Sequence, residues 1–465
     1  MSDRPNILWY CTDQQRFDTI GALGNPYVRT PVLDNLVNEG VAFTHTYCQS
    51  PICTPSRSSF MSGLYPSRVH STRNGNDTFP EWPPVITKLI ADAGYTCGLV
   101  GKFHLQSSGK RTEPRIDDGF SYWKFSHAPR DDWEEGHDYA DWVKEKGGDL
   151  DALRQSEDRV PTELHQTTWG SERSIEFIRQ DHDRPWLLNV NVYDPHPPFT
   201  PPRSYDDQFD PAEMPGPHFR ESDLEAQAKL AACDFQDEIR TPEEHDAKGA
   251  QARYYAMIAQ IDDQFGRILA ALDETGQRDN TLIIFTSDHG ESLGDHGLMY
   301  KGCRFYEGLV RVPLIISWPQ RFARNKQSDA LVEMLDLSAT LLDLAGVEEP
   351  EYLQGTSLRP LLTGESGGPD HREFVRCEYF DALDPHFTGG SGTFATMHRT
   401  RRHKLCVYHG KGVGELFDLE NDPWEHDNLW ENPAHEALKN HLLAESFDAH
   451  VLLTTDVGSE RIAPM

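Results

Sequence analysis

Residues 6–12, Asn-Ile-Leu-Trp-Tyr-Cys-Thr, form a near-continuous apolar run that stops abruptly at Asp13-Gln14. A run without polar alternation suits a strand of a parallel sheet that helices cover on both faces. Segments of the same kind recur at 95–100, 186–193, 282–287 and 312–318, and the one at 282–287 again ends in an acidic motif, Asp288-His289-Gly290. Helical patterns lie between them. Thr30-Pro31 supplies a cap and a proline at the first helical position for a helix ending near Gly40. A second helix spans 85–93, with Gly94 as its stop. A long one spans 252–275, where Ile258, Ile261, Phe265, Ile268 and Leu272 recur at helical spacing. Alternation of this kind predicts an α/β fold with a large, mostly parallel sheet sandwiched by helices.

The rhythm changes in three places. Residues 106–172 and 203–248 are polar, acidic and poorly periodic, and their length marks them as insertions at the substrate rim. Residues 364–370 read as a linker that closes a catalytic domain of residues 1–363. Beyond it, strands at 373–380, 394–399 and 404–409 and a helix at 435–443 predict a smaller C-terminal α+β unit, 371–465, with an antiparallel sheet. The tail after Val451 has no apolar stripe and is expected to lie as an arm over a partner subunit in a homo-oligomer.

Charge and cysteine usage narrow the function. A net charge of −31 over 465 residues repels nucleic acid. A small anionic substrate is still allowed, because its pocket can be locally basic. No apolar run reaches the length of a membrane span, and the N-terminus lacks a secretory leader, so a cytoplasmic location is expected. The eight cysteines show no paired spacing and read as buried free thiols.

Cys53 stands apart in Cys53-Thr54-Pro55-Ser56-Arg57. Thr54 is suited to cap, and Pro55 to begin, a helix running to Gly63, which puts Cys53 just before a helix N-terminus, where negative charge is favoured. Arg57 follows one turn later. Asp13-Gln14 and Asp288-His289 end predicted parallel strands, at the sheet edge where ligands gather. Two carboxylates, the Gln14 amide oxygen and the His289 imidazole make a mainly oxygen-donor set. That set suits Ca²⁺ or Mn²⁺, with Mg²⁺ less favoured.

With these motifs in view, the chain resembles the sulfatase family of the alkaline phosphatase superfamily over most of its length. Gly101-Lys102-Phe103-His104-Leu105 is similar to the family's Gly-Lys-x-His segment, and Asp194-Pro195-His196-Pro197 to its histidine–proline segment. Lys301, thirteen residues after Asp288, matches the later lysine, and residues 414–429 resemble the C-terminal hallmark. The resemblance implies oxidation of Cys53 to formylglycine by a maturation enzyme, with Cys53 joining Asp13, Gln14, Asp288 and His289 around one divalent metal. It further implies that Lys102 binds sulfate and His104 acts as base, while His196 and Lys301 face the leaving oxygen and Arg57 stabilises the nucleophile. Asn74 is a candidate sulfo contact, although Asn74-Gly75 is equally a turn signal.

Gln14 and His289 depart from the Asp-Asp and Asp-Asn pairs of many members. That variant is similar to the branch of choline-sulfatases and phosphonate monoester hydrolases. The Lys102/His104 pair favours a small organic sulfate ester, such as an aryl sulfate, as substrate. The alternatives are a phosphonate monoester or phosphodiester hydrolase using the same site, and a non-enzymatic anion-binding protein with Cys53 unmodified. Trp82, Trp123 and Trp133 offer stacking surfaces for a substrate, with core packing as their ordinary role.

Overall fold

The computed structural model describes residues 4–108, 112–130, 137–157, 159–364, 371–383 and 392–455. In chain order its strands are β1 (Asn6–Thr12), β2 (Val41–Tyr47), β3 (Thr96–Gly101), β4 (Phe120–Phe125), β5 (Trp186–Asn191), β6 (Thr281–Ser287), β7 (Arg311–Ser317) and β8 (Lys326–Glu333). A second group follows: β9 (Phe374–Phe380), β10 (Phe394–Thr400), β11 (His403–His409) and β12 (Val413–Asp418). The first eight form one sheet in the order β4-β3-β5-β1-β6-β7-β2-β8. Only β7 opposes its neighbours. The other four form an antiparallel sheet, β12-β11-β10-β9. Both sheets agree with the expected fold class.

β1 explains the layering. Ile7, Trp9 and Cys11 enter one apolar core, while Leu8 and Tyr10 enter another on the opposite face. β6 divides in the same way, Leu282 and Ile284 against Ile283 and Phe285. Each large apolar side chain buried this way contributes roughly 1.5–3 kcal/mol, so neither face can lose its helices. One face is covered by α1 (Pro31–Glu39), α4 (Gln166–Ile178) and α6 (Ala247–Glu274). The other carries α2 (Cys53–Ser62), α3 (Ile86–Asp92) and α7 (Asp336–Ala345), together with apolar residues of β9 and β10. α5 (Glu221–Lys229) lies within the second long polar segment, and α8 (Glu436–Thr454) packs on the smaller sheet.

The strands that the sequence did not signal are those with mixed composition. β2 contains Thr44-His45-Thr46, β8 begins Lys326-Gln327-Ser328-Asp329, and both β4 and β8 are edges. β4 lies inside 106–172, so part of that segment completes the sheet by pairing with β3. Trp123 on β4 packs among Phe103, Phe120 and Phe125, and Trp82 sits edge-on to Tyr352. Trp133, most of the linker and the tail from 456 lie outside the described residues. No described helix is long and apolar enough to cross a membrane. All eight cysteines are buried thiols.

The register of the central strands builds a common edge. Thr12 lies opposite Ser287, while Cys11 and Gly101 both lie opposite Asn191. β1, β3, β5 and β6 therefore release their chains together.

Candidate active site

α2 starts at Cys53 itself. Ile52 is the extended residue before it, so Cys53 is the first helical residue and does not precede the helix. Thr54 does not cap either. Its hydroxyl donates to Asn74 Oδ1 at 3.1 Å, and that oxygen also accepts the Thr54 N–H at 3.4 Å. Asn74 thus anchors the helix start through Thr54, one residue from Cys53. All ten residues of α2 are buried, and Gly63 closes it in the left-handed conformation. Ile52 offers no side-chain acceptor to this first turn, and the positive end of the helix dipole at Cys53 favours an anion there.

Donor atoms of Asp13, Cys53, Asp288 and His289 all lie within 4.8 Å of one another, and every one of these residues is buried. Asp288 Oδ1 accepts the Gln14 and His289 backbone N–H groups at 3.0 and 2.9 Å, while Oδ2 accepts Arg57 Nε at 2.9 Å. His289 Nδ1 lies 2.8 Å from the Gly290 carbonyl, which leaves Nε2 facing Cys53 Sγ at 3.1 Å. The Gln14 Nε2 group donates to Glu291, turning Oε1 toward Lys301 Nζ at 2.7 Å. Gln14 itself sits at φ 71, a left-handed conformation held by its backbone bonds to Asp288 and Tyr254. With these orientations, two carboxylates, an amide oxygen and an imidazole nitrogen fit a divalent cation.

Lys102 and His104 reach the same place from β3, but by a turn, not by strand alternation. β3 ends at Gly101, whose φ is 102, and His104 is again left-handed at φ 58. A Cβ on Gly101 would stand 1.9 Å from the Asn191 carbonyl, so the turn requires glycine. Lys102 Nζ pairs with Asp13 Oδ2. The Glu113 carboxylate accepts the backbone N–H groups of His104, Leu105 and Gln106 at 2.6, 2.6 and 2.8 Å. Glu113 carried no motif in the sequence, and nothing in its surroundings would have revealed it. Glu291 was legible only as the third residue after Asp288.

The remaining groups come from two loops. His196 follows a cis Asp194–Pro195 bond, its Nδ1 2.6 Å from the Pro197 carbonyl, and its side chain meets Cys53. Thr167, at the end of the first polar segment, donates to Asp194. Lys301 Nζ lies 2.9 Å from Cys53 Sγ. Its own carbonyl accepts the Gln236 N–H at 3.1 Å, and Phe235 pairs with Gly302. Each long polar segment therefore braces one loop that faces position 53.

Electrostatics match the geometry. Burial alone would raise the Cys53 thiol, yet Lys102, Lys301 and His289 hold it well below its ordinary value. Burial also opposes ionisation of Asp13, but Lys102, His196 and Lys301 bring it down to about 2. His104 is pushed down to about 3, by burial first and Lys102 next, so it stays neutral. Burial and Lys301 likewise depress His196. Basic groups thus favour negative charge at Cys53, with uncharged His104 and His196 beside it.

The sulfatase family profile matches residues 5–347, and the profile of the N-sulphoglucosamine sulphohydrolase C-terminal region matches residues 294–450. The chain is 30% identical over 452 residues to an arylsulfatase of Clostridium perfringens, covering 92% of this chain and 90% of the relative. It is 29% identical to a choline-sulfatase of Rhizobium meliloti, with 92% and 83% covered. The phosphonate monoester hydrolase of Agrobacterium radiobacter superposes with a TM-score of 0.82 at 26% identity, over 97% of this chain and 96% of that one. Fold, converging residues and these likenesses agree: the chain belongs to the sulfatase family of the alkaline phosphatase superfamily and is a sulfuric ester hydrolase.

Proposed function

We propose that the protein hydrolyses sulfate monoesters of small organic alcohols, aryl sulfates among them, with residue 53 working as formylglycine. The observation that carries this reading is the convergence of Lys102, Lys301, His104 and His196 on the Cys53 side chain, which with Asp13, Asp288 and His289 forms a donor set for a cation. The hydrate of the aldehyde would present two hydroxyls where Sγ now stands.

Asp13, Gln14, Asp288 and His289, with residue 53, would hold a divalent cation, Ca²⁺ or Mn²⁺ preferred, which when bound would supply Lewis-acid charge to the nucleophile and the sulfo group. Lys102 and Lys301 receive the sulfate oxygens from two sides. One hydroxyl of residue 53 gives up its proton and attacks sulfur, the S–O bond to the alcohol breaks, and that proton is relayed through His196 or Lys301 to the departing oxygen. Neutral His104 then takes the proton of the second hydroxyl. The C–O bond to the sulfo group breaks, sulfate leaves, the aldehyde returns and water rehydrates it. Arg57 acts through Asp288, whose carboxylate it orients, and Asn74 is proposed to meet the sulfo group from the start of α2. The two long polar segments shape the alcohol pocket through their contacts with the His196 and Lys301 loops.

A second reading, phosphonate monoester or phosphodiester hydrolysis at the same site, draws on the Gln14/His289 variant and the likeness to the Agrobacterium enzyme. The Lys102/His104 pair favours sulfate. Two measurements decide the matter. Mass analysis of the peptide containing residue 53 should show sulfur and two hydrogens replaced by oxygen; an ordinary thiol in fully active protein overturns the mechanism. The kcat/KM for an aryl sulfate should exceed that for the matching phenylphosphonate ester, and the reverse order selects the second reading.

A further inference from the structure

We propose a second metal site, for zinc, formed by Asp223, His296 and His426 and built from three separate parts of the chain. Asp223 is on α5, His296 lies in the turn five residues before Lys301, and His426 follows β12. Their donor atoms all lie within 4.8 Å of one another. His426 Nδ1 is 3.0 Å and His296 Nδ1 3.6 Å from the same carboxylate oxygen, Asp223 Oδ2. Both imidazoles thus turn the same nitrogen inward, and tetrahedral ligands about 2.0–2.2 Å from zinc are separated by similar distances.

The surroundings hold these groups in place. Asp223 is 1% exposed and His296 3%, so neither is a solvated surface group. The Arg220 backbone N–H donates to Asp223 Oδ2 at 2.8 Å, fixing the carboxylate from behind as outer partners of metal ligands do. The His296 ring stacks on Tyr306 with centroids 3.8 Å apart. Backbone strain gathers here as well. His296 has φ 55, and Glu425, next to His426, has φ 62; neither residue is glycine. A helix-capping aspartate needs no such pair of converging imidazoles.

Two nitrogens and one carboxylate suit zinc, with water completing the coordination beside His426, the least buried of the three. The site at Cys53 is richer in oxygen donors and, once its thiol is gone, favours a harder ion. Zinc at the second site would tie α5 and the C-terminal unit to the turn that carries Lys301, a structural clamp with no part in the chemistry.

The test uses Cys53→Ala protein, which has no thiolate in the first site, stripped with chelator and then equilibrated with one equivalent of Zn²⁺ in excess Ca²⁺. One zinc per chain should survive gel filtration. His296→Ala and His426→Ala in that background should each lose it. X-ray absorption of the bound zinc should give nitrogen and oxygen neighbours at about 2.0–2.1 Å and no sulfur at about 2.3 Å, a readout that needs no further variant to fold. Zinc absent from the Cys53→Ala protein, retained by both histidine variants, or found on sulfur overturns the proposal.

Discussion

Arg57 Nε donates to Asp288 Oδ2 at 2.9 Å, and both side chains are sealed from water, at 1% and 0% exposure. A buried pair of this kind adds little over an apolar pair, but removing one member strands the other. Arg57→Ala should therefore lower unfolding free energy in urea by about 3–5 kcal/mol and abolish measurable turnover. Arg57→Lys restores the charge without the planar fork. It should recover most of the stability while kcat stays about 100-fold down, the scale of a lost preorganised contact.

Cys53→Ser places a single hydroxyl where a diol is expected. It should accept one sulfo group and stop, because no second hydroxyl remains to break the C–O bond. Intact mass after incubation with an aryl sulfate should show the adduct, and steady turnover at the wild-type rate would exclude the scheme.

Glu291 accepts from the Gln14 amide, and its other oxygen accepts the Leu293 N–H at 3.1 Å and the Tyr300 N–H. In Glu291→Gln one of these donors meets an NH₂ group, and the Gln14 oxygen loses its fixed direction. Mn²⁺ titration should show affinity reduced about 10- to 100-fold, as for other outer partners of metal ligands.

His398 is 1% exposed, and burial, then Arg376, pushes its pKa down to about 4. The unfolded chain binds this proton near pH 6.5, so between pH about 6.5 and 4 the unfolded state holds more protons. Stability then rises with pH across that window and falls as the solution is acidified. The effect saturates near 3 kcal/mol or about 2.5 pH units. His398→Leu should flatten the dependence of urea midpoint on pH in that range.

Lys404 Nζ is 2.8 Å from Glu307 and 2.6 Å from Glu425, all three side chains being buried. This cation, on β11, joins the small sheet to the loop after Lys301. Lys404→Met leaves two carboxylates facing each other and should cost on the order of 3–5 kcal/mol, seen in urea unfolding. Glu425→Gln in the same chain should return part of the loss.

The central strands could be read from sequence because burial on both faces demands an uninterrupted apolar run, as in β1 and β6. β2 and β8 were not legible, since a partly exposed strand tolerates Thr44, His45 and Lys326, and only pairing with β7 and with each other reveals them. The site was legible where chemistry forces residue types into short motifs, as at Cys53, Asp288 and Lys102. Groups that act through the backbone left no trace. Glu113 serves three N–H groups whatever its neighbours are, and Asn74 reached the start of α2 by a tertiary contact that sequence spacing does not encode.

Cys53 is 1% exposed and opens a helix with no exposed residue. The proposed maturation enzyme would have to reach this side chain, and the folded molecule keeps it and all of α2 buried. If residue 53 works as formylglycine, as proposed, conversion would have to precede the folding of this segment, and chains that fold first would keep their thiol. The fraction of working protein in any preparation would then be the outcome of a race between maturation and folding, set by the cell that makes it.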